Sequence, residues 1–68
     1  MQEIDVRGLA CPEPVVRTMQ ALQKSPEGVK VIGDTVASRE NITRFAAAKK
    51  YKIEAEEKDG AYILTLTK

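Results

Sequence analysis

The chain has 68 residues, a formal net charge of +1 and no histidine. A chain of this length forms one domain with a small core, and its near-neutral charge argues against a domain that coats nucleic acid. With one cysteine and no histidine, it lacks the usual ligand set of a zinc or iron–sulfur site and cannot form an internal disulfide. We therefore expect no bound metal and no resident cofactor.

The N-terminus and the hydropathy pattern predict a cytoplasmic protein without membrane contact. No apolar run approaches the ~20 residues of a membrane span. The start MQEIDV lacks the basic beginning and apolar middle of a signal peptide, and a free thiol in an unexported chain is typical of the reducing cytoplasm. We expect a single domain over residues 1–68, either a complete small protein or the N-terminal domain of a longer one.

The first half of the chain predicts a strand, a helix and a second strand. Residues 2–7, QEIDVR, alternate Ile4 and Val6 with charged residues, which is typical of a strand with one solvated face. The turn residues 25–28, SPEG, end the helix that follows, and the β-branched segment 29–33 predicts a buried strand. The predicted apolar face of that helix consists of Val15, Val16, Met19 and Leu22.

The second half predicts another helix and a β-hairpin. Ser38 is the expected N-cap of the helix, with Glu40 in a first turn where the helix dipole favours an anion. Lys50 stands where a glycine would better suit the helix C-terminus. Asp59-Gly60 lies between two alternating segments and is a strong hairpin signal. The predicted buried face of the helix consists of Ile42, Phe45 and Ala46.

A two-residue turn fixes the register of this hairpin, because it pairs Lys58 with Ala61. Ile63 then faces the outer side with Glu56, which predicts a partly covered or partner-facing surface, and a slip of one residue would spoil the pattern. The apolar residues that share the inner face are Ile53, Ala55, Tyr62, Leu64 and Leu66. The order βαβαββ predicts an α/β (α+β) two-layer sandwich with a four-stranded mixed sheet and two helices on one face.

The segment RGLACPEP places the only cysteine between a glycine-containing turn and two prolines. Proline lacks an N–H group and fits the first turn of a helix. Cys11 is therefore the expected N-cap, with Pro12 the first helical residue and Pro14 the third. A helix N-terminus stabilises a thiolate, Arg7 would favour that thiolate, and Glu13 would disfavour it.

A single cysteine is most often a small buried hydrophobe. An N-cap after a glycine-containing turn is usually a surface position, however, and the prolines on both sides of Glu13 make the turn rigid. This position favours a nucleophile or sulfur handle, with no second cysteine in the chain to resolve a disulfide.

The motif Asp5-x-Arg7-Gly8-Leu9-x-Cys11-Pro12-x-Pro14 resembles the signature of the TusA/SirA-like family of sulfur carriers, with its CPxP element. The likeness covers the whole chain, since that family forms a βαβαββ two-layer sandwich of about this length. It implies that Cys11 carries a transient persulfide in a relay, received from a cysteine desulfurase or another carrier and passed to a protein acceptor. Such relays serve tRNA thiolation, molybdenum-cofactor assembly and dissimilatory sulfur metabolism. The expected supporting residues are Asp5, Arg7, Gly8, Leu9, Pro12, Glu13 and Pro14.

Residues 33–45 match the family less closely. They keep Asp34 but lack the prolines of the tRNA-thiolation carriers, and they are more similar to the N-terminal domain of YedF-like proteins, which are linked to selenium metabolism. Asp34 either holds a loop or receives a partner. Arg39 and Arg44 are either solvated charges or a docking patch for an acidic partner near Cys11.

Two other functions stay open. An RNA-binding module can have the same architecture, but the near-neutral charge and the scarcity of aromatic residues argue against direct binding of nucleic acid. A regulatory module would bind a protein through the sheet surface around Ile32 and Ile63 and would not need Cys11. A thiol-based redox switch is a weaker idea, because the chain has no resolving cysteine.

Overall fold

The computed structural model describes residues 2–10 and 13–68. The elements are β1 (Gln2–Asp5), α1 (Glu13–Lys24), β2 (Gly28–Gly33), α2 (Val36–Ala48), β3 (Lys52–Lys58) and β4 (Ala61–Thr67). This order confirms the predicted βαβαββ arrangement. Neither helix of the described residues is long and apolar enough to cross a membrane.

The four strands form one mixed sheet in the order β1-β2-β4-β3. β1 and β2 run parallel, whereas β4 runs antiparallel to both of its neighbours, β2 and β3. The C-terminal ends of β1 and β2 therefore lie at the same edge of the sheet, which we call the carboxyl edge. Since each helix follows one of these strands, both helices begin at the carboxyl edge.

The hairpin between β3 and β4 has the predicted register. Lys58 pairs with Ala61, and Ile63 pairs with Glu56 on the outer face. The two turn residues have positive φ angles, 53° at Asp59 and 80° at Gly60, as a type I′ turn requires. The Asp-Gly signal was sufficient here because turn and register are both local.

The core lies between the two helices and the inner face of the sheet. The middle strands contribute most of it, since β2 and β4 have neighbours on both sides and helices above them. The buried apolar residues are Val6, Ala21, Leu22, Val29, Val31, Ile42, Ala46, Tyr62, Leu64 and Leu66.

The predicted apolar face of α1 was wrong in two of its four residues. Val16 and Met19 are exposed, at 38% and 40%, whereas Thr18 is fully buried. The Thr18 hydroxyl donates to the Pro14 carbonyl oxygen at 2.9 Å, so this side chain can turn toward the sheet without an unpaired polar atom. The residues that α1 buries are Pro14, Thr18, Ala21 and Leu22.

The predicted start of α2 was also wrong. Thr35 is the N-cap, and its Oγ1 accepts a hydrogen bond from the Ser38 N–H group at 3.2 Å. Ser38 is the third helical residue, and Glu40 lies beyond the first turn. Both hydroxyl side chains can cap a helix, but Ser38 Oγ lies 2.6 Å from the Tyr62 hydroxyl. That buried contact places Ser38 inside the helix.

The C-terminus of α2 shows why Lys50 stood out in the sequence. Lys50 has a φ of 66°, in the left-handed region where a glycine is favoured. Its N–H group donates to the Ala47 carbonyl, and the Tyr51 N–H group donates to the Ala46 carbonyl, both at 3.0 Å. These two bonds form a Schellman motif, which satisfies the last carbonyls of the helix.

Candidate functional site

The described part of the loop between β1 and α1, residues 6–10, lies at the carboxyl edge and precedes the cysteine in the chain. β1 ends at Asp5, two residues before the predicted end, but the Val6 N–H group still donates to the Ile32 carbonyl at 2.7 Å. The Leu9 N–H group donates to the Val6 carbonyl at 3.3 Å, and the Leu9 side chain packs against the core. The chain is therefore fixed up to the residues just before the cysteine.

Gly8 allows the turn in this loop. Its φ is 78°, a conformation that side chains with a Cβ rarely adopt. The Gly8 N–H group donates to Asp34 Oδ1 at 3.4 Å. Asp34 thus contacts the loop before the cysteine from the neighbouring strand end, a geometry that favours the loop-holding alternative of the two weighed for Asp34.

Cys11 and Pro12 lie outside the described residues. The structure therefore does not test the predictions that Cys11 is the N-cap and Pro12 the first helical residue. On either side of them, the Glu13 N–H group donates to the Ala10 carbonyl at 2.9 Å. Glu13 opens the described part of α1, and its carboxylate lies 3.5 Å from the Arg17 guanidinium. Pro14 is buried in this first turn.

Asp5 and Arg7 form a two-pronged ion pair on the exposed end of β1. Arg7 Nη2 lies 2.7 Å from Asp5 Oδ2, and Arg7 Nε lies 3.0 Å from Oδ1. The Arg7 backbone N–H also donates to Oδ1, at 2.9 Å. The hydrogen bonds from the Arg7 side chain lower the pKa of Asp5 to about 2. The guanidinium is therefore engaged by this carboxylate, which also raises the pKa of Arg7.

Replacing Arg7 with glutamine should return the Asp5 pKa from about 2 toward its ordinary value of 3.8. Because the pKa of Asp5 is lowered in the folded state, the pair stabilises the fold at pH values above the ordinary pKa of 3.8. That stabilisation is lost as the pH falls toward 2. A carboxyl-carbon NMR titration measures the shift. Arg44→Gln removes a cation from α2 instead and should leave the Asp5 pKa unchanged. An unchanged Asp5 titration in Arg7→Gln would contradict the pairing.

The two predicted docking arginines lie on α2. Arg39 Nη1 lies 3.5 Å from Glu57 Oε1 on the hairpin, and the Arg39 side chain is only 34% exposed. Arg44 is exposed and follows five residues later, about 7.5 Å along the helix. Both residues border one shallow depression with Glu40 between them. Their role in docking stays a prediction.

Sequence reasoning missed a hydrogen-bonded cluster at the carboxyl edge. The Tyr62 hydroxyl contacts Ser38, whose Oγ also donates to the Thr35 carbonyl at 3.0 Å. Burial raises the pKa of the Tyr62 phenol. Tyr62 lies across from Gly33 in the β2–β4 pair, where a Cβ on Gly33 would overlap the tyrosine ring. The only signal of this cluster in the sequence was the glycine at the end of β2, and it did not identify Tyr62 as the residue packed against it.

The comparisons with known proteins match the chain over nearly its full length. A family profile described as sulfurtransferase TusA matches residues 2–68. A putative sulfur carrier protein from Methanocaldococcus jannaschii is 38% identical, over 100% of this chain and 95% of that protein. The sulfur carrier protein TusA of Pseudomonas syringae is 32% identical, over 97% of this chain and 82% of that protein.

No group of three or more potential metal ligands occurs within residues 2–10 and 13–68.

A solved structure has the same fold. The SirA-like protein from Desulfitobacterium hafniense superposes with a TM-score of 0.89 and is 37% identical, covering 98% of this chain and 96% of that one. The sequence comparisons and the structure comparison therefore relate this chain to the same group of proteins.

Proposed function

The chain belongs to the TusA family of sulfurtransferases and has a sulfur-carrier role, and we propose that it holds the carried sulfur as a persulfide on Cys11. The observation that carries this proposal is the place of the only cysteine in the chain. It follows directly after a loop that backbone hydrogen bonds, Gly8 and Asp34 fix at the carboxyl edge. The finer likeness to YedF-like proteins and to selenium metabolism stays a prediction.

The transfer requires only thiol exchange chemistry. The Cys11 thiolate attacks the terminal sulfur of a donor persulfide, so a new S–S bond forms on Cys11 while the donor's S–S bond breaks. The donor leaves as a thiolate, and no external oxidant or reductant is consumed. An acceptor thiolate then attacks the terminal sulfur on Cys11 in the same way. The chain thus acts as a relay, and it needs no resident cofactor or metal in this scheme.

Membership of this family implies protein partners in a sulfur relay. A cysteine-desulfurase-like donor and a protein acceptor are the partners that we propose for this chain. We propose Arg39 as a docking residue for such a partner, because it lies in the first two turns of α2 and therefore toward the carboxyl edge. The cytoplasmic location stays a prediction.

We expect one added sulfur atom on Cys11 after the chain is incubated with a cysteine desulfurase and cysteine. Intact-mass spectrometry without reductant measures the gain, which dithiothreitol should reverse. A second reaction uses glutathione persulfide, which needs no protein docking. Wild type should gain one sulfur in both reactions, and Cys11→Ser should gain none while its thermal unfolding stays unchanged.

The two reactions separate the carrier chemistry from the identity of the donor. Loading from glutathione persulfide but not from the desulfurase would contradict the proposed desulfurase-like donor. It would still support Cys11 as the carrier of the persulfide. No loading from either source, or equal loading of Cys11→Ser, would contradict a persulfide on Cys11. No observation on the described residues favours the RNA-binding alternative. The regulatory alternative retains only the cross-strand pair of Ile32 and Ile63, both half-buried on the open face.

A further inference from the structure

The second halves of the two helices enclose a shallow groove, which we call the α1–α2 groove. Both helices begin at the carboxyl edge, so the groove lies toward the opposite end of the helical layer, away from the loop of residues 6–10. Its volume is about 290 Å³, at the lower limit of small-molecule pockets and suited to a few side chains. Its lining residues are Met19, Leu22, Gln23, Phe45, Lys49 and Tyr51.

Met19 is the apolar lining residue of the groove that the core does not use. Met19 is 40% exposed, and Val16, one turn earlier on α1, is 38% exposed. Leu22 also lines the groove but is buried, and the Tyr51 hydroxyl donates to the Pro26 carbonyl at 2.9 Å. The wall and the floor of the groove are therefore fixed by packing and hydrogen bonding. Clefts with apolar walls and a few polar groups are the usual form of binding sites.

The rim of the groove is positively charged. Lys49 lines it, and Lys68 Nζ lies 5.4 Å from the centre of the Tyr51 ring, which is another lining residue. None of the six lining residues is acidic. The sequence shows the same asymmetry, since residues 14–26 and 41–53 contain lysines and arginines but no aspartate or glutamate. A ligand that matches this rim carries carboxylates.

We propose that the α1–α2 groove binds an acidic amphipathic segment of a partner protein. Apolar side chains of the segment would fill the space between Met19 and Phe45, and its carboxylates would face Lys49 and Lys68. This is the helix-in-groove mode of recognition, in which apolar anchors supply affinity and charges supply specificity. The inference does not depend on the chemistry of Cys11.

A second copy of this chain fits the groove less well. In a two-fold dimer, each rim would meet the same rim on the other copy. Lys49 and Lys68 would then face lysines, and like charges held close together oppose association. Charge complementarity therefore favours a different, acidic occupant.

Two synthetic peptides with the same leucine spacing test the proposal, one with glutamates at its polar positions and one with lysines. Each is titrated into the ¹⁵N-labelled full chain, and amide NMR shifts are recorded. The glutamate peptide should shift the amides of Met19, Gln23, Phe45, Lys49 and Tyr51. The lysine peptide should shift none of them.

Two matched variants separate the groove from general charge. Lys49→Gln and Arg44→Gln each remove one cation from the C-terminal half of α2 or its cap, but only Lys49 lines the groove. Lys49→Gln should weaken binding of the glutamate peptide about two- to fivefold, as for one exposed ion pair, whereas Arg44→Gln should not change it. Met19→Ser should weaken binding by about fivefold or more, because it removes an apolar anchor. Thermal unfolding of each variant checks that the fold is intact.

Several outcomes would overturn the proposal. These are equal shifts with both peptides, shifts confined to the open face of the sheet, and no shifts at millimolar peptide. Equal weakening by Lys49→Gln and Arg44→Gln would also overturn it, because binding would then follow net charge alone. A concentration-dependent dimer in sedimentation, with shifts at the groove in the absence of peptide, would assign the groove to a second copy.

Discussion

Replacing Gly33 with alanine should destabilise the fold by about 2–4 kcal/mol. A Cβ at this position would overlap the ring and hydroxyl of Tyr62, which lies opposite Gly33 across β2 and β4. Tyr62 is held in place, because it is only 4% exposed and its hydroxyl contacts Ser38 at 2.6 Å. Moving the ring would break that contact at the start of α2. Urea denaturation monitored by circular dichroism measures the change in the free energy of unfolding.

Gly60→Ala is the matched control for this substitution. Gly60 has a φ of 80° but open space around it, so an added Cβ meets no neighbour. Only backbone strain remains, about 1–2 kcal/mol. A cost for Gly33→Ala no greater than that for Gly60→Ala would contradict the close contact. The double variant Gly33→Ala/Tyr62→Val should cost less than the sum of its single substitutions, because removing the ring removes the overlap.

Replacing Leu64 with alanine should destabilise the fold by about 3–5 kcal/mol. Leu64 is fully buried in the middle of β4, between Val31 on β2 and Ala55 on β3. A single core in a chain this short supplies no more than about 3–5 kcal/mol, so we expect Leu64→Ala to be largely unfolded at 25 °C. Circular dichroism and the loss of dispersed amide NMR signals measure this.

Ile63→Ala is the control on the same strand. Ile63 is the adjacent residue, so its side chain lies on the other face of the sheet, half-buried beside Ile32. Its removal should cost about 1 kcal/mol, since neighbouring side chains cover it only in part. Equal costs at the two positions would contradict the register, or would show that another molecule covers the open face.

The hairpin of β3 and β4 shows which features the local sequence can determine. Asp59-Gly60 has one favoured turn geometry, and a two-residue turn permits one register, so every cross-strand pair followed from the sequence. The motif from Asp5 to Pro14 was equally informative about the family. Its glycine meets a local need, because Gly8 must adopt a positive φ angle.

Other features could not be predicted from the sequence, because they depend on contacts between residues that are distant in the chain. Thr35 and Ser38 are both good N-caps by local criteria, and the contact between Ser38 and Tyr62 decided between them. The partner of Asp34, the Gly8 N–H group, is 26 residues away in the chain. The overlap that Gly33 avoids depends on the pairing of β2 with β4, which no local pattern specifies.

By itself, the sequence of this protein determined the order of its elements, the register of its hairpin, its family and the cysteine proposed to carry sulfur. These depend on interactions among residues close together in the chain. The tertiary structure alone decided which face of α1 is buried, where α2 begins and where a charged apolar groove forms. Thr18 could replace Met19 in the core because its hydroxyl bonds to the Pro14 carbonyl, and the small Ala21 also faces inward. Such choices are nearly equal in local energy, and contacts between distant elements decide them.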